Sequence, residues 1–406
     1  MPNAAPNPMN VEPYQLKSPE NPSLSAAIAS PKVDDGSAEP VVADPLETAD
    51  GMITRRSWSV KSLAIKHWKT GLACVGSMLL GGMLSLLSSP SAPPVVESTE
   101  VPEKVVYVAS AARRAEPISP IIPFEGLDSN VVELGRRLFH DSALSGNGKL
   151  SCASCHDPNN GGADGQALSR GVNGRVTRRN TPTVFNAAFN FVQNWDGRAE
   201  SLEEQLDNHL SENGEMLSDW SRVIKVLTQD PLYNRTFQLH LGGEPSEALV
   251  REALATYERS LVTVDSKFDQ WLRGDEQALN SEEIAGYYLF KQLNCISCHQ
   301  GAGVGGTMLQ PLAGMQAYFD SVEGGGVHDL GRFDVTKRER DQHVFRVPAL
   351  RNVEQTAPYF HDGSAPTLSA AVEAMMQHQL GLTPNSTDVQ RIIAFLKTLT
   401  GKPLKS

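Results

Sequence analysis

Cys152-Ala153-Ser154-Cys155-His156 and Cys295-Ile296-Ser297-Cys298-His299 are the two stretches from which the rest of the chain can be read. Each is a CxxCH pattern, two thiols with an imidazole directly after the second. That spacing suits covalent attachment of a c-type haem. The thiols form thioethers to its two vinyl groups, and the adjacent histidine presents a ring nitrogen to the iron. A lone CxxC also fits a redox dithiol or half of a zinc site. Here a histidine follows both pairs, and four of the five cysteines are used this way. The reading is therefore two covalently bound haem c groups, with zinc as the alternative. Cys152, Cys155 and His156 hold one, and Cys295, Cys298 and His299 hold the other.

The surroundings of the two motifs repeat. Gly135-Arg136-Arg137-Leu138-Phe139 precedes the first, and Gly286-Tyr287-Tyr288-Leu289-Phe290 precedes the second. Both lie on helical patterns in which the glycine permits a close helix crossing and Leu-Phe covers a haem edge. Each half then carries a later amphipathic helix, at 253–261 around Tyr257 and at 389–399 around Phe395. Few alternating strand patterns appear. The expected fold is mainly α, with two tandem cytochrome c-like haem domains at 117–270 and 271–406.

The front of the chain reads differently. Residues 1–54 carry two basic and eight acidic residues and few aromatics, which predicts a disordered acidic tail. Residues 55–69 add five positive charges. An uncharged, apolar run of eighteen residues comes next at 71–88, just long enough to cross a bilayer as a helix. With the basic flank it reads as a signal anchor or transmembrane segment at 55–89, placing the C-terminal region in the periplasm, tethered to the inner membrane. Residues 90–116, with Pro90, Pro93, Pro94 and Pro102, read as a Pro-rich tether. Overall, 36 basic against 47 acidic residues give a net charge of −11. Such a balance lacks the basic footprint that nucleic acid requires. The composition also excludes collagen, a disulfide-dense scaffold and a polytopic membrane protein.

Several further stretches carry a resemblance. They are Arg179-Asn180-Thr181-Pro182-Thr183-Val184-Phe185-Asn186, Trp195-Asp196-Gly197-Arg198-Ala199, the run from Phe345 through Arg351 to Val353, and Thr356-Ala357-Pro358-Tyr359-Phe360-His361-Asp362-Gly363. With the two CxxCH motifs, the region 120–402 resembles the bacterial di-haem cytochrome c peroxidases. The resemblance implies an N-terminal haem that reacts with hydrogen peroxide. It also implies a C-terminal haem that receives electrons from a small donor, a reduced cytochrome c or a cupredoxin. It implies Met375 as the second axial ligand of the C-terminal haem, a His/Met pair that raises the haem potential. Met376 is an adjacent competitor.

By the same resemblance, Glu215 is the acid/base that moves a proton between the peroxide oxygens, Gln205 hydrogen-bonds peroxide, and Trp195 couples the two haems. His361 is implied as a hydrogen-bonding residue near a haem. A calcium ion between the domains is implied at the Asn180 side chain and the backbone oxygens of Thr356 and Pro358, oxygen donors that suit a hard cation. A homodimer is implied as well. The sequence departs from the family in one place. The loop 157–181 holds neither histidine nor methionine, and Val172 stands where the family usually has a distal histidine. This predicts a first iron that is open or water-occupied at rest, with His209 as the nearest later histidine able to move in. Two other uses of such a chain remain. One is a peroxide-dependent di-haem enzyme that oxidises residues of a partner protein, and the other is a non-catalytic electron carrier.

Overall fold

The computed structural model describes residues 114–211, 214–321 and 329–404. The expected acidic tail, the basic flank with its signal anchor, and nearly all of the tether lie outside these residues. Among the described residues no helix is long and apolar enough to cross a membrane. The described part belongs to one compact unit and is mainly helical.

Its α-helices, in order, are α1 (Ser129–His140), α2 (Leu202–Leu210), α3 (Trp220–Gln229), α4 (Pro231–Leu241), α5 (Glu247–Ser260), α6 (Lys267–Leu272), α7 (Ser281–Gln292), α8 (Gln316–Ser321), α9 (Phe333–Thr336), α10 (Leu368–Ala374) and α11 (Ser386–Lys397). Their starts follow from local chemistry. Asp128, Ser246, Asn280 and Asn385 cap α1, α5, α7 and α11 with side-chain oxygens that accept backbone N–H bonds. These are the donors that a helix start otherwise leaves unpaired.

Two crossings organise the molecule. α1 packs on α5 and α7 packs on α11, the same arrangement in each half. Gly135 meets the backbone of Ala253, and Gly286 meets that of Arg391, so closely that a Cβ would collide with the facing carbonyl. The crossing glycines expected from sequence therefore sit at the contacts. Around the first crossing Val131, Leu134, Leu138 and Phe139 pack with Val250, Leu254 and Tyr257. Around the second, Tyr287 and Phe290 pack with Val389, Ile392, Phe395 and Leu396. Each CxxCH motif begins in a 3-10 turn after the first helix of its pair, at Cys152–Ser154 and Cys295–Ser297.

The halves are laced together. Ile118 and Phe268 are fully buried in the second core. β1 (Thr263–Val264) pairs antiparallel with β4 (Lys402–Pro403) across the halves, while β2 (Leu309–Pro311) and β3 (Val344–Arg346) form a second antiparallel ribbon within the second half. Arg351 and Asp269 form a buried ion pair, with both guanidinium nitrogens bonded at 2.8 Å. Arg179 bonds both Asp196 and Asp329, 2.6 Å from each. These ties span 82 and 150 residues of sequence.

Candidate haem-binding active site

Each CxxCH motif opens on its own cavity. The first, about 450 Å3, is lined by Cys155 and His156, with Gln205, His209 and Glu215 facing them. The second, about 330 Å3, is lined by Cys295, Cys298 and His299, with Met375 and Met376 in its wall. Both volumes fall in the usual range for ligand sites, roughly 300–1,000 Å3. Asn180, Trp195 and Arg346 line both cavities and so form their common wall.

The histidines of the two motifs are both neutral. Burial lowers His156 to about 4, and His299 likewise to about 4. Both imidazoles are therefore neutral at physiological pH, the form that binds a metal. His156 Nδ1–H donates to the Pro182 carbonyl at 3.0 Å, which leaves Nε2 for the cavity. No disulfide joins the four cysteines of the motifs, and burial pushes the Cys152 thiol up to about 12 and those of Cys155 and Cys295 up to about 11. A zinc site needs thiolates and more ligands. Among the described residues no group of three or more His, Cys, Asp or Glu side chains is placed to hold a metal ion.

The common wall gives a second test of fit. Arg346 is 4% exposed and forms no ion pair among the described residues. Its guanidinium meets only the Asn194 carbonyl at 3.3 Å and Asn190 Oδ1 at 3.1 Å. Burial without a counter-ion lowers it to about 10. A buried cation in the wall of two cavities asks for an anion from whatever fills them. The carboxylates of a haem meet that demand, and a neutral ligand does not. The residues therefore fit a c-type haem in each cavity.

The distal side of the first cavity is built by α2 and the segment after it. Ser201 caps α2, and Leu206 and Leu210 anchor it in the core, which turns Gln205 and His209 to the cavity. Glu215 comes next, its Oε2 accepting from His209 Nδ1–H at 3.0 Å. Burial raises the Glu215 carboxyl, but the His209 hydrogen bond and charge, with help from Arg198, outweigh it and the net shift is downward. Gln205 Nε2 donates to Glu258, at 3.1 and 3.4 Å from its two oxygens. Val172 is buried and lies outside both cavity walls, its N–H bonded to the Glu215 carbonyl at 2.8 Å.

Trp195 is 9% exposed, and its indole N–H donates to the Asn180 carbonyl at 2.9 Å. Asn180 spends its amide N–H groups on the carbonyls of Gln166 and Ala167. Asn180, Thr356 and Pro358 all line the second cavity. Met375 opens a π-turn, Met375–Gln379, that continues α10, and Met376 is the more deeply buried of the pair. His361 lies behind Trp195, stacked on Phe345 at 4.3 Å, in the wall of neither large cavity. Its Nδ1 has no hydrogen-bond partner.

With this geometry in place, comparison with known proteins is decisive. Residues 129–277 match the family model described as di-haem cytochrome c peroxidase. The chain is 43% identical over 287 residues to the cytochrome c551 peroxidase of Nitrosomonas europaea, covering 70% of this chain and 84% of that protein. The chain belongs to the di-haem cytochrome c peroxidase family. Cytochrome c peroxidase Ccp of Escherichia coli is 44% identical over 290 residues, 71% of this chain. The match spans only 62% of the length of that protein. Among solved structures, a MauG-like protein associated with microbial copper homeostasis superposes with a TM-score of 0.62 at 27% identity, over 70% of this chain and 93% of that one. Members of this peroxidase family are oxidoreductases that act on peroxide, and two haems per chain match the two CxxCH cavities.

Two residues of the site escape a reading of the sequence. Glu258 is one, 5% exposed in the first cavity wall. It falls on the stripe Val250, Leu254, Glu258, spaced four apart on the buried face of α5. A charged residue on an apolar stripe is the signal that could have found it. Arg346 is the other; its own local sequence carries no signal, because the cavities on either side are made by distant segments.

Proposed function

We propose that the chain reduces hydrogen peroxide to water in the cavity of His156, with electrons passed from a small redox protein by way of the cavity of His299 and Met375. The asymmetry of the two cavities carries this reading. Only the first gathers Gln205, His209 and Glu215 opposite its haem-attachment motif, whereas the second has no carboxylate in its wall and is lined mostly by apolar side chains, two methionines among them. A haem in each cavity supplies the electron transfer, and that in the first supplies the two-electron cleavage of the O–O bond.

The protein's own residues do the rest. Glu215 takes the proton from the inner peroxide oxygen and returns it to the outer one, which leaves as water. Gln205 holds peroxide in place by a hydrogen bond. Trp195, in the wall common to both cavities, couples them. Met375, ahead of Met376, would hold the haem iron of the second site together with His299. Asn180, Thr356 and Pro358 offer the oxygens for a calcium ion. The units 117–270 and 271–406 act as the peroxide-reducing and electron-receiving halves of a periplasmic enzyme, tethered by its N-terminal segment and working as a homodimer.

Glu215→Gln tests the reading. Both haems should remain attached while kcat falls by about 100-fold or more, the usual contribution of a positioned acid/base. Full activity in that variant would remove Glu215 from the mechanism. The alternative use, peroxide-driven oxidation of a partner protein, has its support in the likeness to the MauG-like structure. Met375 in the second cavity favours the donor-fed peroxidase, because a thioether ligand raises the potential of the haem that must accept the electrons.

A further inference from the structure

The first cavity holds two histidines, and the mechanism above uses one. We propose that His209 is the sixth ligand of the first haem iron in the oxidised, substrate-free enzyme. The inference rests on the reading of His156 as the other ligand of that iron.

The arrangement of the two rings carries it. Their centres are 6.3 Å apart and their planes stand at 84°. A metal–imidazole bond is roughly 2.0–2.1 Å and the ring centre lies about 1.1 Å behind the nitrogen, so two imidazoles opposed across one metal atom set their centres about 6.3 Å apart. The observed spacing is too long for a hydrogen bond between the rings and matches that of a shared metal.

Both rings are also held from outside. His156 gives its Nδ1–H to the Pro182 carbonyl, and His209 gives its own to the Glu215 carboxylate, each at 3.0 Å. Each is left with Nε2 for the cavity that both line. A carboxylate behind a ligating imidazole fixes its orientation and raises its basicity, the arrangement commonly found at metal-bound histidines. No competitor is present in the wall. Among the lining residues there is no third histidine, no methionine and no lysine. Val172 itself stands outside that wall, its backbone N–H bonded to the Glu215 carbonyl at 2.8 Å, while the cavity lining from its loop begins at Arg175 and contains no histidine or methionine.

The assignment gives the site two states. With His209 on the iron, peroxide is excluded and Glu215 is engaged as the partner of Nδ1. When His209 leaves, the sixth position and the Glu215 carboxylate become available together. The open iron that turns over peroxide is the second of these states, and the ligand that closes it comes from α2.

The test is the spin state of the air-oxidised, fully haem-loaded enzyme, read by low-temperature electron paramagnetic resonance and by the visible spectrum. The wild type and Glu215-intact variants His209→Leu and His209→Gly are compared, with haem content counted separately. The wild-type first haem is expected to be low-spin, with two imidazole ligands. His209→Leu should convert it to high-spin while the second haem is unchanged. Adding free imidazole to His209→Gly should restore the low-spin signal. A high-spin first haem in the wild type overturns the proposal, and this reading needs no variant to fold. A low-spin signal that survives in His209→Leu overturns it too, because some other group is then the ligand. A protein carrying one haem where two are expected marks failure of the underlying His156 reading instead.

Discussion

Glu258 is a carboxyl with nowhere to put its charge. It is 5% exposed, its side chain meets only the Gln205 amide, and burial raises it to about 8, with the Glu203 charge adding to the rise. The unfolded chain ionises this group near 4.5, the ordinary value. Between those two values the unfolded state has released a proton that the folded state keeps, so stability falls as pH rises and levels off above about 8. Glu258→Gln keeps an acceptor for Gln205 and removes the titration. Its melting temperature should gain on the wild type from about pH 5 upward and hold a constant lead above about pH 8. Parallel curves across that range would show that Glu258 is not held neutral by burial.

The residues whose chemistry is local were legible in the sequence. The thiols and imidazoles of the two CxxCH motifs needed only their spacing. Gln205 and Glu215 were singled out by resemblance alone, and the fold brings both to the wall of the His156 cavity. Arg346 was quoted within a motif and given no role. Its significance is a matter of lacking a partner, and that is a property of the packed molecule.

At the scale of elements, the two helix crossings depend on single glycines. Gly286 sits where α7 touches the Arg391 carbonyl of α11, beside Phe395. The added methyl of Gly286→Ala has to push the helices apart, because the obstacle is backbone and cannot rotate away. Overpacking of this kind costs about 1–3 kcal/mol or more. The variant should melt several degrees lower and lose order around Phe290 and Phe395, which line or back the second cavity. An unchanged melting temperature would mean that the crossing tolerates a wider separation than the structure shows.

These crossings were visible beforehand because Gly-x-x-Leu-Phe repeats on a 3.6-residue period before each motif. The short ribbons were not. β1 and β4 are two residues each, and nothing local to Thr263–Val264 announces a partner at Lys402–Pro403. The π-turn at Met375–Gln379 was equally silent, though it lies at the very segment that delivers the two methionines. Such insertions cluster at functional sites because they re-aim side chains.

Over the whole molecule, what matters is that two similar halves are made unequal and then joined. The first cavity is polar opposite its histidine and the second is mostly apolar, with two methionines. Trp195 and Arg346 stand between them. The join is made by ties between residues far apart in sequence, Arg179 with Asp329 and Arg351 with Asp269. Periodicity and motif spacing report nothing of such pairs, so the paired helix crossings were legible and the lacing was not. Breaking either buried pair by removing one partner leaves an uncompensated charge, which is why these joins hold the shared wall in place.

The central claim is donor-fed reduction of peroxide, and one stoichiometry tests it most directly. Haem-loaded enzyme is mixed with a reduced cytochrome c and a limiting amount of hydrogen peroxide, and donor oxidation and peroxide loss are followed together. The account predicts about two donor molecules oxidised for each peroxide consumed, because cleaving the O–O bond to water takes two electrons and each donor supplies one. Peroxide consumed without donor oxidation, with the oxidising equivalents held on the enzyme or passed to residues of another protein, would contradict it.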